Sequence, residues 1–235
     1  MIALIDADIC AYRSASSCKE SDPVEIAIIR ADNLMRQILH NLDTMKYRAY
    51  LSGSNNFRYD LYPDYKANRT QPKPQWLQQV REFLVLEWNA EVTDGIEADD
   101  ALGIAQTEAT IIASIDKDLL QIPGHHYNIV KEESLFIDEL TAVKTFYKQL
   151  LLGDRSDNIP GWDGKARQKP TKQIQSWYDY LEAMDDQEDM YNFVLDCYRN
   201  YWWEHAEQEL LMTARLIYIH RKEGDEWNPP VKQDS

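Results

Sequence analysis

The chain has 235 residues and carries 25 Lys plus Arg against 40 Asp plus Glu, a formal net charge of −15. That length allows a core of more than one layer, read here as a main domain with an appendage, and the acidic balance excludes an electrostatic DNA coat, which needs a basic face. There is no apolar stretch of about 18 residues, the start Met1-Ile2-Ala3-Leu4-Ile5-Asp6 lacks the basic residues and length of a signal peptide, and Cys10, Cys18 and Cys197 have no zinc-ligand spacing, so the chain reads as a soluble, unexported protein in a reduced compartment.

Ile2 to Ile5 is an uncharged apolar run, as expected of a central parallel strand covered on both faces, and a polar turn follows at Asp6 to Asp8. Ile26, Ile29, Leu34, Ile38 and Leu42 recur at helical intervals after Pro23. Tyr47 to Leu51 reads as a second strand closed by the turn-rich Ser52-Gly53-Ser54-Asn55-Asn56. Leu77, Val80, Phe83 and Leu84 place a helix after Pro72 and Pro74, and Ala98 to Thr107 reads as another. Thr110 to Ile115 is a β-branched strand, Tyr127 to Val130 is read as the last core strand, and the pair His125-His126 is read as a turn. After about Gly153 helices are expected at Trp177 to Met184, Tyr191 to Trp203 and Glu207 to Ile219. The predicted organisation is a domain over 1–152, a helical region over 153–223 and a flexible tail over 224–235. Strands alternating with helices predict a parallel α/β sheet, with ligands at the carboxyl ends of its strands.

Acidic clusters fall at those ends: Asp6, Glu97-Ala98-Asp99-Asp100, Asp116-Lys117-Asp118, and Asp154 with Asp157. Each has a structural reading as well. Asp6 and Asp8 suit helix caps, the Glu97 cluster suits a helix N-terminus, and the run from Gly153 to Gly161 suits a turn. Carboxylates sharing one small volume raise each other's pKa unless a positive charge sits among them, and oxygen-only donors favour Mg²⁺ or Mn²⁺. The clusters together point to a two-metal phosphodiester hydrolase. The aromatic residues Tyr198, Tyr201, Trp202 and Trp203 are read as helix packing.

Five segments occur in a telling order: Ile5-Asp6-Ala7-Asp8 with Tyr12-Arg13, Tyr65-Lys66-Ala67-Asn68-Arg69, Glu97-Ala98-Asp99-Asp100, Asp116-Lys117-Asp118, and Gly153-Asp154 to Gly161. Over roughly residues 1 to 165 the chain resembles the flap endonuclease superfamily, and most closely the small tailed-phage 5′→3′ exonucleases and the 5′ nuclease domain of DNA polymerase I. The resemblance implies a PIN-like (Rossmann-like) α/β domain with helices on both faces of a parallel sheet, and a helical C-terminal appendage with a degenerate helix-three-turn-helix segment. It assigns Asp6, Glu97, Asp99 and Asp100 to one metal and Asp116, Asp118, Asp154 and Asp157 to the other, in part through waters. Two Mg²⁺ ions, replaceable by Mn²⁺, would activate water and stabilise the leaving 3′ oxygen, giving 5′-phosphate products.

The resemblance further implies Lys66 and Arg69 as the cationic pair at the scissile phosphate, with Arg13 and Tyr65 facing the substrate and Tyr65 stacking on a terminal base. Lys165, Arg167, Lys169 and Lys172 would hold duplex phosphates, and some relatives bind K⁺ at the corresponding hairpin. The implied substrate is DNA with 5′ ends, flaps, nicks or gaps, with RNA:DNA hybrid as a second one, for a monomer acting away from membranes in the cytoplasm, that of a bacterial host if phage-encoded. The rivals are a PIN-type ribonuclease and a structure-specific DNA-binding protein with a weakened site. Three departures stand out: the segment 70–96 is short for the long arch of many relatives, Leu51-Ser52-Gly53-Ser54 lacks the usual loop acid, and the glycine-rich hairpin after Gly161 is degenerate.

Overall fold

A computed structural model describes residues 1–230. In chain order the elements are β1 (Ile2–Asp6), α1 (Ala7–Ser16), α2 (Val24–Asn41), β2 (Tyr47–Leu51), α3 (Phe57–Leu61), α4 (Leu77–Trp88), β3 (Glu91–Val92), α5 (Ala98–Ala105), β4 (Thr110–Ser114), β5 (Gly124–Asn128), β6 (Glu133–Ile137), α6 (Glu139–Leu152), α7 (Lys172–Glu182), α8 (Gln187–Trp202) and α9 (Ala206–Ile217). They divide into two compact units. The first comprises Met1–Asn56, Gln71–Ile137 and Ile219–Glu223; the second comprises Phe57–Thr70, Asp138–Tyr218 and the described residues from Gly224. The two units interleave along the chain, α6 packing with the helical unit and α4 with the sheet.

The first unit holds a six-stranded sheet in the order β3-β2-β1-β4-β5-β6, parallel except for β6, which pairs antiparallel with β5. Alternation along the strands explains why both faces are covered. Ala3 and Ile5 of β1, Ala49 and Leu51 of β2, and Ile111 and Ala113 of β4 face α1, α2 and α4, whereas Leu4, Tyr50 and Ile112 face α5. The helix α2 presents Ala27, Ala31 and Met35 to the sheet beside Ile38, so the face expected at Ile26 and Ile29 is displaced: Ile29 is exposed and small alanines allow the close approach.

Four elements went unanticipated: α1, the short α3, β6 and α6. The helix α1 buries Ala7, Cys10, Ala11, Ser14 and Ala15, residues too small to stand out as an apolar stripe. The edge strand β6 is exposed along most of its length and shows no buried run, and β5 begins at Gly124, which puts His125 and His126 in a strand. The helix α6 follows an Asp138 N-cap and buries Phe146, Tyr147, Leu150 and Leu151 in the second unit.

The second unit packs α6, α7, α8 and α9 around Tyr147 and Tyr198, with Tyr198 donating to the Leu150 carbonyl at 2.8 Å. Of the aromatic group read as packing, Tyr198 is buried and Trp202 donates to the Trp162 carbonyl at 2.9 Å, but Trp203 is 80% exposed at a positive φ of 52°. In the described part of the tail, 224–230, Trp227 is buried and Tyr218 donates to Asp225 at 2.9 Å. Residues 231–235 lie outside the described residues. Among the described residues no helix is long and apolar enough to cross a membrane.

The short segment before Glu97 is spent on α4, a core helix whose Val80, Leu84 and Trp88 are buried, and residues 70–76 carry no helix. Leu84→Ala is expected to cost about 2–5 kcal/mol through the lost contacts and the cavity left behind. Leu86→Ala, on the exposed side of the same helix, should stay within about 0.5 kcal/mol. Urea unfolding of the two variants reads the difference; equal losses would remove α4 from the core.

Candidate active site

From β1 the chain moves to β2 on one side, and from β3 it returns to β4 on the other, so β1 and β4 form the topological switch point where a crevice opens at the carboxyl ends of a parallel sheet. Asp6 is the last residue of β1 and caps α1, its Oδ1 accepting the Ile9 N–H at 3.0 Å. The Ser114 hydroxyl, at the end of β4, donates to Asp6 Oδ2 at 2.6 Å and accepts the Asp116 N–H at 3.0 Å. Asp116 Oδ1 in turn accepts the Asp118 N–H at 2.9 Å. One hydroxyl thus ties the acid of β1 to the acids that follow β4.

The remaining acids of this unit sit at the start of α5. Glu97 and Asp100 form a reciprocal capping box, with the Glu97 N–H donating to Asp100 Oδ2 at 3.0 Å. Asp100 Oδ1 accepts the His220 N–H at 3.1 Å, so both oxygens of this fully buried carboxylate hold backbone. The loop lacking an acid is also engaged. Ser52 Oγ accepts the Ala98 N–H at 2.9 Å, its own N–H donates to Asp8 Oδ2 at 2.8 Å, and Arg81 of α4 donates to both Asp8 and the Ser52 carbonyl. No sequence signal marked Arg81, an isolated cation on an otherwise ordinary amphipathic helix.

The electrostatics follow from this crowding. Burial pushes Asp6 up to about 7, with Asp8 and Asp116 adding repulsion and the Ser114 and Ile9 hydrogen bonds opposing it. Asp99 is raised well above the ordinary carboxylate range, first by burial and then by Asp116, Asp6, Glu97 and Asp100. The donors are all oxygen and in electrostatic reach of one another, which suits a hard divalent cation. Among the described residues no three acidic, histidine or cysteine groups are closed into a ready-made cage.

The second unit carries the remaining expected residues. Gly153, at φ 70°, and Gly161 close the loop between them: a Cβ on Gly153 would stand 2.4 Å from the Ile159 carbonyl oxygen, and one on Gly161 2.6 Å from that of Leu151. Asp154 pairs with Ile159 through backbone and accepts the Ser156 N–H at 2.7 Å; burial raises its pKa, and Asp157 adds to the rise. Asp157 is claimed by its neighbours. Tyr65 donates to its Oδ2 at 2.9 Å, the Lys66 ammonium lies 3.4 Å from the same oxygen, and Arg69 donates to Oδ1. Asp157 thus gathers a tyrosine hydroxyl and two cations around one carboxylate. Lys66 holds a positive φ of 58°, with its N–H on the Asp157 carbonyl at 2.9 Å. Such strain in a non-glycine residue recurs at functional positions.

Two residues expected at the substrate are engaged within the protein. Tyr65 is buried against Tyr59, with ring centroids 5.4 Å apart, and has no face open to a base. Arg167 spends its fork on Asp163, two contacts of 2.6 Å; burial works against ionisation of Asp163, yet the guanidinium holds its carboxyl below the ordinary range. Arg13, Lys165, Lys169 and Lys172 are exposed, Lys165 lying 3.9 Å from Asp163.

Fold and carboxylates together define a parallel α/β protein with an acidic, all-oxygen centre at the switch point of its sheet. The family model for the 5′-3′ exonuclease N-terminal resolvase-like domain matches residues 1–149, and the chain belongs to this family. It is 28% identical over 231 residues to DNA polymerase I of Chloroflexus aurantiacus, covering 83% of this chain and 24% of the polymerase. It is 28% identical over 185 residues to the 5′-3′ exonuclease of Buchnera aphidicola, covering 68% of this chain and 64% of that protein, so it spans less than two thirds of either relative. Among solved structures, the T5 5′-exonuclease with bound zinc ions superposes with a TM-score of 0.67 at 14% identity, covering 92% of this chain and 88% of that one. The T5 flap endonuclease in a pseudo-enzyme-product complex with DNA and metal ions gives a TM-score of 0.54 at 13% identity, covering 92% of this chain and 98% of that one. These likenesses establish the fold.

The raised Asp6 sets a pH dependence. Folded, it holds its proton to about 7 against an ordinary value of 3.8, so the native state binds more protons than the unfolded chain between these values and loses stability as pH rises through them. Metal-free protein should be less stable at pH 8 than at pH 5.5 by about 2 kcal/mol from this group. Asp116→Asn, by removing a repelling charge, should shrink the difference. Urea midpoints at the two pH values give the test, and a flat profile in the parent chain would remove the raised Asp6.

Proposed function

We propose that this chain is a divalent-metal-dependent 5′→3′ exonuclease with structure-specific endonuclease capacity, hydrolysing DNA to 5′-phosphate products. The observation that carries it is the crowding of Asp6, Asp99 and Asp116 at the switch point, a repulsion that a cation relieves, in a chain of the 5′-3′ exonuclease family. Asp6, Glu97, Asp99, Asp116 and Asp118 would hold Mg²⁺ or Mn²⁺ in the first unit, while a metal role for Asp154 rests on the sequence resemblance. When bound, such ions activate water and neutralise charge on a leaving 3′ oxygen.

The chain's own residues supply the rest. Ser114 fixes the orientation of Asp6, and Arg81 fixes the loop that caps α5. In the second unit Asp157 holds Lys66 and Arg69 side by side, an ammonium and a planar fork suited to phosphate oxygens. Exposed Lys165, Lys169 and Lys172 are proposed to meet duplex backbone, and K⁺ at this hairpin remains part of the resemblance. RNA of an RNA:DNA hybrid is proposed as a second substrate. The rival of a weakened, DNA-binding site draws on the uncaged carboxylates and on Ser52 in place of an acid.

Purified chain with Mg²⁺ and 5′-labelled duplex, nicked, gapped and flapped DNA, beside matched RNA, decides between the readings. Cleavage of DNA is expected, with short 5′-phosphorylated products. Cleavage of RNA alone would point to a ribonuclease, and none at all to the binding protein. Asn at both Asp116 and Asp118 should lower the rate by orders of magnitude without loss of fold. Lys66→Ala should reduce the single-turnover rate far more than DNA affinity, because only interactions made in the transition state accelerate chemistry; an equal loss in both would assign Lys66 to docking.

A further inference from the structure

The segment Ile219–Glu223 belongs to the first unit although the chain on both sides of it belongs to the second, and it lies beyond the residues that the family model matches. It touches two of the acid-bearing segments of the first unit, the start of α5 and the turn after β4. The Ile219 N–H donates to Gln121 Oε1 at 2.9 Å, and the Arg221 guanidinium donates to the Gln121 carbonyl at 2.8 Å. Gln121 is fully buried and ends the single 3-10 turn, Asp118–Gln121, that Asp118 begins. One residue along, the His220 N–H holds Asp100 Oδ1, the carboxylate whose other oxygen fastens the Glu97 N–H.

Packing supports the same contact independently. Ile219 is buried with Ala98 and Leu102 of α5 and with Leu119 and Ile122 around the turn. The approach to α5 is so close that a Cβ on Gly103 would stand 2.4 Å from the His220 carbonyl oxygen and 3.1 Å from Ile219 Cγ2. A glycine in mid-helix is costly relative to alanine, and here its missing side chain makes room for the crossing backbone.

We propose that Ile219–Arg221 is a positioning strap that holds Glu97 and Asp99, at the start of α5, in register with Asp118, at the start of the turn, for cation binding. The strap supplies no ligand; it fixes the distance between two segments that do. This rests on the metal-centre reading above. Support of this kind around ligands is typically worth 10- to 100-fold in metal affinity.

The test uses Gly103→Ala, which displaces the strap without altering any carboxylate, and Arg221→Met, a milder change that keeps the chain folded if the first does not. Mn²⁺ binding, followed by the loss of the free-ion paramagnetic resonance signal, should weaken by about tenfold or more in each folded variant. The Mg²⁺ concentration for half-maximal DNA cleavage should rise by a similar factor, with the rate restored at saturating Mg²⁺. Unchanged Mn²⁺ affinity with a lowered melting temperature would overturn the proposal and leave the strap as ordinary packing. A parent chain that binds no Mn²⁺ overturns the strap and the metal centre together. A parent chain that binds Mn²⁺ without cleaving DNA sinks the nuclease reading alone, since Mn²⁺ affinity still judges the strap.

Discussion

The first unit is organised around one electrostatic conflict: carboxylates from the ends of β1 and β4 and from the start of α5 crowd the mouth of the sheet. Asp6 is tolerated there because desolvation and repulsion are met by a serine hydroxyl and a helix N–H, and because it can keep its proton near neutrality. The surrounding devices follow from that conflict. The Glu97–Asp100 box spends two acids on the helix start, and Arg81 takes up the charge of Asp8 before it can add fully to the repulsion. What is left under-compensated, Asp99 foremost, is where a divalent ion has most to offer.

The second unit answers the opposite problem, keeping cations together in a chain of net charge −15. A buried tyrosine hydroxyl and a lysine share one oxygen of Asp157 while an arginine takes the other, so a single acid holds Lys66 and Arg69 adjacent. Asp163 does the same for Arg167. Cations fixed in this way lose less conformational freedom on meeting an anion, whereas exposed Lys169 and Lys172 contribute charge with little orientation.

The parallel sheet and the places of the acids were legible because both rest on local pattern. Uncharged runs end in Asp6 and near Asp116, and a switch-point crevice is a general consequence of strand order. The failures share a physical cause. The helix α1 is cemented by alanine, cysteine and serine, and β6 is an exposed edge; neither leaves a periodic apolar trace. Roles also depend on partners distant in sequence. Asp100 meets the His220 N–H, Asp157 gathers Tyr65, Lys66 and Arg69, and the Tyr65 ring is buried, contacts that no local pattern announces. Nothing in the run Leu51 to Ser54 announced that Ser52 holds the first turn of α5.

The interleaving of the units has a consequence for modularity. The chain passes from one to the other at 56/57, 70/71, 137/138, 218/219 and 223/224. A single cut anywhere therefore releases neither unit whole. Ending the chain near residue 149, where the family match stops, would leave the sheet without Ile219 over α5 and the second unit without α7, α8 and α9. Recombination with another polypeptide cannot exchange one unit as a contiguous block, so the two are inherited, synthesised and lost together.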